Sequence, residues 1–170
     1  VVLVSADDEV RKLAEELGVG FLQEEERGFN EAAKRATSWC VSQGYRALMI
    51  VPADLPTITE KELDAAVRSC EWSPSVVISP AIGGRGTNLL LRKPPNAIKT
   101  WYDMDSYRRH LAEARENRVR YTLMYSVNTL VDVDTPADLL FSVRINDETK
   151  TANFAERSGA IERAKKLLGL

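Results

Sequence analysis

Two short segments carry the residues best suited to chemistry, Val-Pro-Ala-Asp-Leu-Pro at 51–56 and Val-Asp-Val-Asp-Thr-Pro at 131–136. In each, an apolar stretch runs into carboxylate and proline, as a buried strand does when it delivers an acid to its exit. Asp54 follows Val51 after two intervening residues, and Asp132 and Asp134 are spaced to share one face if their strand continues through them. Like charges this close are unfavourable without a cation or a basic partner. Mg²⁺ suits such a place because it prefers oxygen ligands and keeps room for water and substrate phosphates. We read Asp54, Asp132 and Asp134 as candidate metal ligands, with Asp54 and Asp134 as the catalytic pair. The structural alternatives are an Asp54 that closes its own turn and an Asp134 that caps a helix beginning near Pro136.

Between the two acidic segments lies Gly83-Gly84-Arg85-Gly86-Thr87-Asn88. Its exposed amides, guanidinium, hydroxyl and side-chain amide can wrap an anion, and Gly86 permits a close approach. The run lacks both the Walker A ending and the Rossmann spacing, and an ordinary surface turn is the alternative. Arg92 and Lys93 add positive charge that could simply face water. Gly28-Phe29-Asn30 is a third candidate site, where Asn30 either caps the following helix or reads a base or ribose edge. Ser106 reads as a helix cap whose hydroxyl, or the helix amides beside it, could bind a carboxylate or phosphate. His110 suits a surface or packing role. A metal beside a phosphate loop points to phosphoryl or nucleotidyl transfer, in which the cation neutralises charge building up at an α-phosphate. No side-chain base is needed if the acceptor is already a phosphate anion, which fits a chain with 1 histidine.

The elements that must position these residues alternate. Strands are predicted over 1–4, 19–22, 45–51, 76–79, 88–91, 119–125 and 130–133. Between them, Val10, Leu13, Ala14 and Leu17 form one helical face that stops at Gly18. A second helix covers about 30–43 and buries Ala33, Ala36 and Cys40. Thr59 and Glu62 form a capping-box pattern for a helix to about 69. Another helix spans about 106–117, and Thr135, Pro136 and Asp138 supply cap, first-turn proline and N3 acid for the next. The tail from 154 to 168 is helical in its spacing. This order predicts an α/β domain, a three-layer sandwich with a mainly parallel central sheet and ligands at the carboxyl ends of strands.

Bulk properties agree with one such domain with a substantial core: of its 170 residues, 44% are apolar. Lys plus Arg number 23 against 25 for Asp plus Glu, so no basic tract advertises a nucleic-acid partner. Cys40 and Cys70 follow helical patterns, and with no CxxC a structural zinc has little to use. No apolar run is long enough to cross a bilayer and the first ten residues show no signal-peptide pattern, so a cytoplasmic protein without membrane contact is expected.

From about residue 45 onward the sequence resembles the 2-phospho-L-lactate guanylyltransferases, nucleotidyltransferases of the glycosyltransferase-A-like type. The resemblance rests on residues 51–56, Ile-Ser-Pro-Ala-Ile-Gly-Gly-Arg-Gly-Thr-Asn at 78–88, Ser-Tyr-Arg-Arg-His-Leu at 106–111 and residues 131–136, with Gly-Phe-Asn-Glu-Ala at 28–32 similar to the nucleotide-side motif. It implies GTP as donor and a small phosphorylated carboxylic acid, 2-phospho-L-lactate or phosphoenolpyruvate, as acceptor. Pyrophosphate would leave, and the product would serve coenzyme F420 biosynthesis. Asp54 and Asp134 match metal-binding positions and Asp132 the neighbouring acid. Gly83, Gly84, Arg85, Gly86, Thr87, Asn88 and Ser106 match the acceptor region, and Gly28 and Asn30 the guanosine-side loop. A homodimer is also implied.

Two departures accompany the resemblance. Family members begin with a further strand and a basic nucleotide loop, so this single domain is expected to lack that unit unless further residues precede Val1. Tyr-Asp-Met-Asp at 102–105 stands where the family has a glycine-containing turn, and Asp103 or Asp105 would repel an anionic acceptor unless turned away. The competing readings are a molybdopterin-type nucleotidyltransferase and a non-catalytic nucleotide-binding domain.

Overall fold

The computed structural model describes residues 1–24 and 28–170; of the acidic run at 24–26, Glu25 and Glu26 lie outside the described residues. Parallel strands β1 (Val2–Ser5) and β2 (Gly20–Gln23) bracket helix α1 (Asp8–Glu16). The Asp7 carboxylate caps α1 by accepting from Glu9 N at 2.8 Å. Of the apolar face expected on α1, Ala14 is buried, whereas Leu13 and Leu17 stay exposed.

After α2 (Phe29–Ser42), the chain builds the main sheet from β3 (Leu48–Ile50), β4 (Ser75–Pro80), β5 (Thr87–Lys93) and β6 (Arg120–Leu123), in the order β3-β5-β4-β6. The strands β3, β4 and β6 share a direction and β5 alone opposes them. The sheet is therefore mainly parallel in direction while its central strand makes antiparallel pairs. This reversal puts the carboxyl ends of β3 and β4 and the beginning of β5 at one edge.

Both faces of the sheet are covered. Val76, Ile78 and Leu90 point toward Leu111 and Ala114 of α4 (Ser106–Glu116), whereas Val77, Leu89 and Leu91 pack against Ala66 and Cys70 on and just past α3 (Glu60–Ser69). Alternate residues of one strand thus serve opposite layers, which explains why β4 and β5 are apolar without a polar face. The result is the three-layer α/β arrangement the sequence predicted.

Three expectations need correction. The stretch 130–133 is not a strand; helix α5 (Val127–Leu130) precedes it, and Val131 is extended at its C-cap without joining a ladder. A four-residue helix leaves little periodic signal, so an apolar run read as a strand. The tail is two helices, α7 (Lys150–Arg157) and α8 (Ala160–Leu168), separated at Gly159, and α8 packs on α6 (Pro136–Ile145). The helix caps also move. Gly28 rather than Asn30 is the N-cap of α2, and Asp105 rather than Ser106 is the N-cap of α4. By contrast Thr59–Glu62 and Thr135–Asp138 both form complete capping boxes, with Pro136 in the first turn of α6 and Asp134 outside the cap. No helix among the described residues is long and apolar enough to cross a membrane.

Candidate functional site

The site grows from the edge where β3 and β4 end. Beyond β3, the Asp54 carbonyl accepts from Val133 N at 3.1 Å, which lays the 131–134 segment beside the 52–54 turn. Asp132 is half-buried and its Oδ1 accepts from Asn88 Nδ2 at 3.3 Å, at the start of β5. Both acidic segments and the end of the glycine loop therefore meet at one edge of the sheet.

Helix α5 holds the second acidic segment there. Thr57 donates to the Asn128 carbonyl at 3.1 Å, Ser79 and Thr129 share a buried hydroxyl contact at 2.7 Å, and Ile82 N donates to the Leu130 carbonyl at 2.7 Å. Glu62 accepts from Ser126 Oγ at 3.1 Å and from Asn128 Nδ2 at 3.0 Å while also capping α3 through Thr59. Partial burial alone would raise the Glu62 pKa, but the hydrogen bonds from Thr59, Asn128 and Ser126 hold it below its usual 4.5.

Electrostatics mark the meeting point. Asp54 lies at the surface, yet its carboxyl is pushed above the usual value, chiefly because the surrounding protein thins its hydration. The hydrogen bond from its own N–H opposes this, and the charges of Asp132 and Asp134 add to it. None of the three makes an ion pair with a lysine or arginine among the described residues. An acidic cluster without a basic partner fits a hard divalent cation. Among the described residues no three His, Cys, Asp or Glu side chains close a metal site by themselves. One or two carboxylates completed by substrate phosphate and water are the usual arrangement for Mg²⁺, and Asp54 and Asp134 are the acids at this edge that could supply them.

The glycine loop is locked by its own backbone. Ala81 N donates to the Gly86 carbonyl at 2.9 Å and Gly84 N to the Ala81 carbonyl at 2.8 Å. A Cβ on Gly86 would sit 2.9 Å from Ala81 Cβ, so the close approach that requires glycine here is to the loop itself. Gly83 and Arg85 remain exposed and Gly84 half-exposed, and the Arg85 guanidinium has no side-chain partner among the described residues. The Arg85 carbonyl is instead fixed by Tyr107 N at 2.9 Å, which docks α4 against the loop.

Beneath the loop runs a buried polar chain that the sequence did not reveal. Ser106 Oγ lies 3.2 Å from Thr87 Oγ1, which is 3.0 Å from His110 Nδ1. Trp101 N donates to His110 Nε2 at 2.9 Å, so the ring proton belongs on Nδ1 and points to Thr87. His110 is fully buried, ruling out the surface role, and burial together with the Arg92 charge lowers its pKa to about 3. It is a neutral strut that orients Thr87.

Among the described residues neither Asn30 nor Gly28 is hydrogen-bonded to Asp54, Asp132 or Asp134. Asn30 Oδ1 accepts from Tyr102 N at 2.7 Å, joining α2 to the segment before α4. Gly28, at φ +135°, starts α2 in a backbone conformation that side chains disfavour, and its N–H donates to Glu24 at 2.9 Å. Arg92, for which a water-facing charge is one of two readings, is 2% exposed. Asp105 takes φ +59° at the head of α4, the conformation a glycine in that turn would adopt freely.

The family described as guanylyl transferase CofC like matches residues 1–164. The chain belongs to that family. Within this CofC-like group it is 32% identical over 160 residues to the 2-phospho-L-lactate guanylyltransferase of Methanocaldococcus sp. (strain FS406-22), covering 94% of this chain and 68% of the relative. It is 34% identical over 139 residues to the phosphoenolpyruvate guanylyltransferase of Rubrobacter xylanophilus, covering 82% of this chain and 68% of the relative. A solved structure described as a nucleotide-diphospho-sugar transferase from Desulfovibrio desulfuricans G20 superposes with a TM-score of 0.75 at 21% identity, covering 95% of this chain and 74% of that one. This last likeness shows the fold, which for a CofC-like chain is the expected α/β nucleotidyltransferase architecture.

Proposed function

We propose that the chain transfers GMP from GTP to a small phosphorylated three-carbon carboxylic acid, 2-phospho-L-lactate or phosphoenolpyruvate, with release of pyrophosphate, as a step in coenzyme F420 biosynthesis. The observation that carries this reading is the meeting of Asp54, Asp132 and Asp134 beside Asn88 and the Gly83–Asn88 loop. The CofC-like relatives support it, because their names pair guanylyl transfer with phosphorylated acids of this size.

In the proposed reaction an oxygen of the acceptor phosphate attacks the α-phosphorus of GTP. The bond to the β-phosphate oxygen breaks, and that oxygen leaves with pyrophosphate. Asp54 and Asp134 would hold Mg²⁺, which when bound would neutralise charge on the phosphates. Asn88 restrains Asp132, so the third acid stays beside the pair without needing to ligate. The exposed guanidinium of Arg85 and the amides of Gly83 and Gly84 receive the acceptor's phosphate or carboxylate, and Ser106 with Thr87 shapes the floor beneath them. Gly28 and Asn30 lie on the guanosine side. The acceptor attacks as an anion, so no side chain has to accept a proton.

Pyrophosphate release tests the proposal, measured with each of the four NTPs and Mg²⁺ against a panel of 2-phospho-L-lactate, phosphoenolpyruvate and molybdopterin. GTP with one of the two phospho-acids should support turnover. Turnover with molybdopterin alone, or guanine-nucleotide binding with no pyrophosphate release from any pair, would contradict it.

A further inference from the structure

A second charged site lies at the other end of β5. Arg92 is five residues along this strand from Thr87, on the order of 17 Å away, and it pairs in register with Leu48, the first residue of β3. Its side chain is 2% exposed. Nη2 donates to Thr37 Oγ1 at 2.6 Å and Nη1 to the Ile98 carbonyl at 3.0 Å. Among the described residues the Arg92 Nε–H has no acceptor, and the buried hydroxyl of neighbouring Tyr102 has no hydrogen-bond partner.

Among the described residues no carboxylate pairs with this guanidinium. Burial lowers the Arg92 pKa to about 10, which leaves it charged at neutral pH, and the groups acting on it are Tyr102 and Cys40. Burial raises the pKa of both, so both are neutral. A buried cation without a counter-ion is strongly disfavoured unless an anion joins it. Arg92 forms part of the wall of a cavity of about 540 Å³ between α2 and the 96–103 segment, where Thr37, Ser38, Asn96 and Thr100 offer neutral polar groups. The other charges on the wall are Lys34, Lys99, Glu31 and Asp103, and Glu31 already pairs with Lys34 at 2.5 Å. Lys99 is exposed and makes no ion pair among the described residues.

We infer that this cavity binds a small oxyanion, the phosphate or carboxylate group of a metabolite, held between Arg92 and Lys99. The site is separate from the acidic edge, but Asn30, placed above on the guanosine side, also lines it, so the titration is run without nucleotide and its outcome does not require transferase activity.

The test is calorimetric titration of the nucleotide-free chain with inorganic phosphate and, separately, pyruvate, with chloride at equal ionic strength as the control. An Arg85→Ala background removes binding at the glycine loop. One of the two anions should bind in that background and raise Tm where chloride does not, and the arm that responds identifies the group. Lys99→Ala should weaken binding about twofold to fivefold, as for an exposed charge pair, and Lys99→Glu further. Arg92→Gln should weaken it at least about tenfold, the loss of a charge-assisted hydrogen bond. If Arg92→Gln does not fold, the two Lys99 variants decide. No binding of either anion at millimolar concentration, or affinities unchanged by the Lys99 substitutions, would overturn the inference.

Discussion

Val133 N–H donates to the carbonyl of Asp54 at 3.1 Å, and this one backbone hydrogen bond sets two distant acidic segments side by side. The geometry follows from the sheet. β3 carries its chain to that edge, and α5, tied to Thr57, Glu62, Ser79 and Ile82, turns the later segment back onto it. Removing a carboxylate there relieves repulsion, so folding and catalysis should respond in opposite directions.

Arg85 is exposed while its carbonyl is held by Tyr107, so its side chain can be removed without disturbing the loop. Arg85→Ala should raise the KM for the phospho-acid about tenfold or more while kcat changes little. Steady-state kinetics at saturating GTP check this, and equal acceptor saturation in the two proteins would remove Arg85 from the acceptor site.

His110 gives the fold an acid-sensitive strut. Its folded pKa of about 3 lies below the ordinary 6.5, so under acid conditions the unfolded chain takes up a proton that the native state refuses. The contribution is complete above pH 6.5 and is lost as pH falls toward 3, with a slope of up to about 1.4 kcal/mol per pH unit. Glu62 adds a loss of the same sign below 4.5. Urea midpoints for the native sequence should hold from pH 7.5 to about 6.5 and fall from there to pH 5. They should stay flat for His110→Gln, which starts less stable. A flat profile for the native sequence would contradict the buried, neutral assignment.

A methyl group at residue 86 has no room against Ala81. Gly86→Ala should therefore destabilise by about 1–3 kcal/mol, the usual penalty of overpacking, and should raise the acceptor KM because the loop must shift. Thermal unfolding and kinetics measure the two effects. An unperturbed Tm would show that the loop gives way freely.

Asp105 occupies the left-handed region with no side-chain cap bond to compensate. Asp105→Gly should stabilise the chain by about 0.5–1 kcal/mol. It should also lower the acceptor KM by removing a negative charge at the head of α4, and a destabilised variant would mean that the aspartate makes a contact worth more than its strain.

Local chemistry was the legible part of this sequence. Both capping boxes and the existence of β4 and β5 depend on neighbours within a few residues or on a short apolar run. The approach of Asp132 to Asn88 was anticipated only as a shared sheet edge. The direction of β5 was hidden because a buried strand reads the same whichever way it runs. Arg92 was misplaced because its interior partners, Thr37 and Ile98, come from elements remote in sequence. The same holds for His110, whose two hydrogen bonds join α4 to β5 and to the segment before α4. Cap positions slipped by one or two residues where positive φ at Gly28 and Asp105, rather than a polar side chain, starts the helix.

The account stands on Asp54 and Asp134 sharing one divalent cation with the nucleotide. The direct measurement is Mn²⁺ binding by electron paramagnetic resonance in the presence of GTP, for the native chain, Asp54→Asn and Asp134→Asn, paired with pyrophosphate release and Tm. Both variants should bind Mn²⁺ at least about tenfold more weakly and lose at least about 100-fold in turnover, with Tm unchanged or raised. Equal Mn²⁺ affinity and turnover in all three proteins would contradict it.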